Sequence, residues 1–176
     1  MKKLLPALLL LGATTSATAQ SAAPPTAWTN HNRALPDQLR RVPVGLQLWH
    51  TPNPNYPEAD PTQPGHFLWK HSTMVRNDTG QELEIVACGS FIWYNAAGWQ
   101  ANLTETPAEF AELFNCPQGR LKPGATYTFA KNYRYANSAQ SLYGGDALWY
   151  ILAKDASGKL YKGLGLIETE AEVLAK

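Results

Sequence analysis

Cysteine and methionine are scarce in this chain, with two of each, and charged residues make up only 16% of it. Neither sign dominates, since 15 basic residues stand against 14 acidic ones. No basic cluster is longer than Arg40-Arg41. A protein that holds nucleic acid through its phosphates needs a concentrated basic face, so the composition argues against that class. Beyond the first twenty residues no apolar run is long enough to span a bilayer as a helix. Catalytic signatures are missing too: there is no GxSxG, HExxH, P-loop or GxGxxG. The sequence therefore reads as a non-enzyme with no cofactor.

What the chain does have begins with an address. Lys2 and Lys3, the apolar run Leu4 to Leu11 and the small-residue Ala17-Thr18-Ala19 form the three parts of a signal peptide over residues 1–19. The expectation is export to a periplasmic or secreted space. Cleavage after Ala19 leaves about 157 residues, the size of one domain, and moves the formal charge from +1 to −1. Residues 20–41 open with "SAAPPTAW" and read as a flexible leader, with one helical turn available in "LPDQLRR". Residues 42–168 form the domain proper, and 169–176 a tail whose Thr169 and Glu172 favour one last helical turn.

In an oxidising compartment the two cysteines, Cys88 and Cys116, are expected to bridge, as only one pairing exists. A loop of about 28 residues closed this way would stabilise the fold by about 3.5 kcal/mol. The alternative is two buried free thiols. A metal site is the poorest option, because neither CxxC nor HxxxH spacing accompanies them.

The body of the chain alternates strand-forming runs with turn residues. "FLWKHSTMVRN" puts Phe67, Trp69, His71, Thr73 and Val75 on one face. "NDTGQ" turns it, and "ELEIVA" resumes with Leu83 and Ile85 inward. "CGSFIWYNAAGW", the densest apolar stretch, carries Phe91 and Trp93 on one face and Ile92 and Tyr94 on the other, with a hairpin loop at "NAAG". Thr106, Pro107 and Glu109 then spell a capped helix with Phe110, Leu113 and Phe114 on one stripe. That stripe is expected to cover Ile92 and Tyr94. In "LKPGATYTFAKNYRY" the residues Tyr127, Phe129, Tyr133 and Tyr135 share a parity with Lys131, and "ALWYILAK", "DASG" and "KLYKGLGLI" make a final hairpin. Six to eight strands at roughly ten-residue spacing argue for an all-β antiparallel sandwich.

The run "VRNDTGQELEI", the strand ending in "YNAAGW" and the entry "LKPGATYTF" resemble immunoglobulin-like sandwich domains, in particular the BsuPI-type proteinase-inhibitor family and related bacterial envelope domains. The resemblance covers about residues 74–153 and implies an immunoglobulin-like fold, here with a helical insertion between the cysteines. It carries no inhibitory residue across.

Function is expected to be binding, with a protein partner of the envelope, or a carbohydrate that stacks on exposed rings. Inhibition of a secreted proteinase is implied by the resemblance alone. Candidate contacts are Tyr56 on the proline-rich segment 51–65, Asn95 and Trp99 at the hairpin, and Tyr135 and Tyr143. His50 and His66 bracket the proline segment, and His71 reads as a core or rim histidine. Sequons stand at Asn77 and Asn102.

Overall fold

The computed structural model describes residues 33–94 and 97–174. The signal peptide and the start of the leader lie outside the described residues. Among the described residues nine strands form two sheets. The first has β3 (Phe67–Asn77) at its centre. One edge of β3 takes β1 (Leu46–Thr51) and then the short β2 (Glu58–Ala59); the other edge takes β7 (Thr126–Ala136). The second sheet runs β5 (Gly98–Glu105), β4 (Leu83–Tyr94), β8 (Gly145–Lys154), β9 (Leu160–Thr169), with β6 (Arg120–Leu121) also on β4. All these pairings are antiparallel. Leu46, Leu48 and Val75 from one sheet and Leu83, Ile85, Trp149, Ile151 and Ile167 from the other meet in one buried core.

Among the described residues, backbone bridges join the two sheets along one side only. Gly45 donates to the Lys162 carbonyl and Lys162 to that of Pro43, while Asn55 bonds both ways with Glu168 and Glu170. These are isolated parallel contacts between the β1 side and β9. On the opposite side β7 and β5 do not pair, so the space between the sheets opens there. Helix α2 (Pro107–Leu113) closes one end of that gap. Its start follows the sequence: Thr106 accepts from the Glu109 amide, and the Glu109 carboxylate takes the Thr106 amide at 2.7 Å. Phe110 and Phe114 stack at 4.3 Å and are essentially fully buried beside Cys88 and Ile85.

Three expectations change here. Cys88 and Cys116 are free thiols, both buried, and form no disulfide. Asn115 adopts a left-handed turn (φ 49°), and the Cys116 thiol donates to the Arg120 carbonyl at 3.3 Å rather than meeting Cys88. Burial pushes the thiol pKa up to about 12 at Cys88 and about 11 at Cys116, so both are protonated and unreactive. Phenylalanine packing does the anchoring expected of the bridge. Second, the α2 stripe lies on the predicted face of β4 but lower, at Cys88; Tyr94 stays 54% exposed. Third, residues 170–174 form no helix, because Thr169 ends β9 with its hydroxyl donating to the Gly145 carbonyl.

From Arg33 onward the leader packs on the second sheet. Helix α1 (Asp37–Arg40) buries Leu39 completely, against a second cluster of Phe91, Leu148 and Tyr150, and Lys162 donates to the Leu39 carbonyl at 2.6 Å. That covers the outer apolar face of "SFIWY". The turn after β3 is built by Asn77, which is fully buried and donates to the Gln81 and Leu121 carbonyls while accepting from Thr79. Its sequon is therefore sealed in the fold.

Candidate binding site

The site begins with one extra residue in β7. His71 pairs with Asn132, but Thr73 pairs with Phe129, so two β7 residues, Ala130 and Lys131, face Ser72 alone. Such a bulge switches which face the following side chains occupy. Tyr127 and Phe129 pack toward the core, whereas Tyr133 and Tyr135 turn outward and are 58% and 64% exposed. Asn132 and Arg134 turn inward in exchange. The unbroken parity expected from the sequence fails at the lysine.

Tyr133 and Tyr135 stand opposite Lys70 and Leu68 and form the floor of a cleft of about 920 Å³. The proline-rich segment makes its wall. Its first half is clamped to the other sheet: Asn53 donates to the Leu166 carbonyl at 2.7 Å and accepts from the Glu168 amide. Its second half returns as β2 to pair with Phe67 and Leu68. Asp60 then holds a tight turn by accepting from the Thr62 amide and hydroxyl, which also keeps its carboxyl pKa below the ordinary value. Because the chain leaves for β9 between β1 and β2, no strand pairs that edge of β3 at residues 69–71, and the cleft reaches His71 there. Lys70 is neutralised by Glu58 at 2.6 Å. Thr62, Gln63, Ser72 and Asn137 add donors and acceptors along the walls.

A second cleft, of about 620 Å³, occupies the open side of the two sheets above α2. Arg134 is its central cation. The guanidinium lies 4.4 Å from the Trp69 ring and 4.6 Å from the Tyr143 ring, and donates to the Thr169 hydroxyl at 2.6 Å. Burial pulls its pKa below the ordinary value, opposed by Tyr143. Arg33 is spent differently: it pairs with Asp146 at 2.7 Å, both side chains nearly buried, and stacks on Trp93 at 4.4 Å. Tyr133 and His71 line both clefts, so the two adjoin.

His71 and His50 form a buried pair in the wall between them, with ring centroids 5.6 Å apart. His50 Nδ1 lies 2.9 Å from the Thr73 hydroxyl, which also accepts from Asn132. The nearest carbonyl to His71 Nδ1, that of Trp69 at 3.2 Å, can only accept. The Asn55 side-chain amide nitrogen lies 3.3 Å from the same ring nitrogen, and Nε2 has no hydrogen-bond partner among the described residues. Burial, then the His71 charge, lowers the His50 pKa to about 3; burial lowers that of His71 as well. Both rings are neutral at pH 7.

The candidate residues scatter about these clefts. Tyr135 lies in the first and Tyr143, 64% exposed, in the second. Tyr56 is half-buried and lines neither; its neighbours Asn55 and Pro57 are buried. Trp99 is half-buried, edge-on to Trp93 at 5.2 Å, with its indole nitrogen shut away from solvent. Asn95 lies outside the described residues. His50 is buried with His71 rather than facing His66, and no group of three metal-ligating side chains occurs among the described residues. Tyr133, Tyr94 and Arg134 were missed. The signal for the first and last was Lys131, a charge set in an aromatic stripe, which marks the break.

No protein-family model matches the chain, and no curated protein does. Among solved structures it is similar to the Northeast Structural Genomics Consortium target SoR45, at 10% identity and a TM-score of 0.47, covering 74% of this chain and 90% of that one. It is also similar to a Bordetella pertussis structure assigned to ApaA, at 12% identity and a TM-score of 0.40, covering 72% and 94%. Neither likeness is close enough to argue from.

Proposed function

We propose that this chain is an exported, non-catalytic binding module of immunoglobulin-like sandwich form, and that its ligand is a carbohydrate. Two antiparallel sheets over one core support that form, which is also the one implied by the resemblance to BsuPI-type domains. Export rests on the signal-peptide pattern of residues 1–19. The observation that carries the ligand class is the pair of adjoining concave clefts floored by exposed tyrosine rings. Tyr133 and Tyr135 are alternate residues on one strand face, about 7 Å apart along it. Successive sugar rings can lie on such a pair, with Lys70, Gln63 and Asn137 left for hydroxyls. A protein interface would more naturally present a flat apolar patch than two concave hollows with tyrosine rings and a few polar groups along their walls.

The test is titration calorimetry of the mature protein against a panel of neutral and acidic oligosaccharides, alongside Tyr133→Ala and Tyr135→Ala. Each loses a stacking surface, so each variant should bind about tenfold more weakly or worse, without a change in thermal midpoint. Both rings are exposed, so loss of folding is not expected to mimic loss of binding. Unaltered affinity in both variants, or no glycan bound by the parent protein, would return the protein-partner reading to first place. The inhibitor reading ends if titration against several serine proteinases leaves their activity intact.

A further inference from the structure

Resting on the carbohydrate reading, we infer that the second cleft selects sugars bearing a carboxylate, with Arg134 as the residue that reads it. Two cations line this cleft, and among the described residues only one of them has an ion pair. Arg33 has Asp146 at 2.7 Å. Among the described residues Arg134 has neutral company: two aromatic rings and the hydroxyls of Thr169 and Tyr143, with no ion pair. A guanidinium carries five donors, and the bonds to the Thr169 and Tyr143 hydroxyls use two, leaving three for a ligand.

The carboxylates nearby do not complete it. Thr169 and Ile167 share the inner parity of β9, whereas Glu168 is on the outer parity, directly opposite Asp146 of β8. Glu170 follows the end of β9 and gives its backbone carbonyl to the Trp69 indole at 2.7 Å. Holding a half-buried cation without a counter-ion costs free energy that a paired carboxylate would offset. Stacking between Trp69 and Tyr143 fixes the plane of the fork, so little freedom is lost when a carboxylate engages it.

Tyr143 supplies the rest of the subsite. One face of its ring meets Arg134, yet the side chain is 64% exposed, which leaves the other face open to a pyranose ring. Tyr94 and Tyr133 stand on the facing walls. A hexuronate placed here sets its ring on tyrosine and its carboxylate on the guanidinium.

The experiment compares binding of galacturonate, glucuronate and mannuronate oligomers with their neutral methyl esters, using the mature protein at low salt. At least one free acid should bind about tenfold or more tightly than its ester, with the gap narrowing as salt rises. Arg134→Gln should erase the gap while leaving ester binding in place, and Arg134→Lys, which keeps charge without the fork, should restore part of it. The acid-against-ester comparison on the parent protein needs no variant, so a misfolded Arg134→Gln does not block the test. Equal binding of acids and esters, or a gap that survives Arg134→Gln, overturns the inference and leaves the carbohydrate reading standing. Binding of no glycan at all overturns both.

Discussion

At the residue scale the buried polar groups set conditions on stability. His50 holds its neutral form down to about pH 3, and His71 is lowered in the same direction. An unfolded chain takes up these protons near pH 6.5, and the folded one does not. Stability from this source is therefore complete above about pH 6.5 and declines as the pH falls toward 3. Urea midpoints should drop between pH 6.5 and 5, before carboxylates titrate, and His50→Gln should flatten that limb. A flat profile in the parent protein would refute the assignment. The cysteines make a second prediction, of silence. With both thiols buried and protonated, a thiol-alkylating reagent should leave the native protein unmodified by mass and add two labels after denaturation. A mass two hydrogens short, with no labels, would restore the disulfide. Cysteine parity and compartment suggest a bridge, but neither encodes where Asn115 turns the chain.

Among the elements, the comparison that matters is packing against capping in α2. The helix is seven residues long and could not persist alone. Thr106→Ala removes a side-chain cap and should cost about 1 kcal/mol. Phe114→Ala opens a cavity beside Phe110 and Phe129 and should cost about 3–5 kcal/mol in denaturant unfolding. If the two costs come out equal, the aromatic anchor is overstated. This helix was legible because its signals are local: a cap, a proline at the first position and a 3.6-residue stripe. The strands were legible for the same reason, down to the Asp155–Gly158 turn. The far half of β7 was not. That strand sets the Ala130-Lys131 pair against Ser72 alone, and the register that reveals it belongs to the partner strand. Tyr133 and Arg134 escaped notice because parity counting assumes an unbroken ladder.

At the scale of the molecule, one closed side and one open side define where a ligand goes. The clefts needed the proline segment to cross to β9, and Asn53 and Asn55, which pin it there, look in sequence like ordinary turn residues. Such long-range ties are invisible without the fold. A ligand lying across both clefts should slow amide exchange at residues 132–135 of β7, 92–94 of β4 and 167–169 of β9, and leave the amides of 46–49 and 160–165 unchanged. Slowing confined to the turn between β8 and β9, or none, would place the contact elsewhere. The bulge in β7 has one more effect. Among the described residues this eleven-residue strand has a neighbour on one edge only, and its other edge offers a row of backbone donors and acceptors to any second chain. The kink at Ala130-Lys131 interrupts that row at its middle and sets a cation there. The feature that turns two tyrosines into the cleft is thus also expected to hinder copies of the protein from adding strand to strand, and Lys131→Val should make sedimentation more dependent on concentration than in the parent protein; no difference between the two would overturn this.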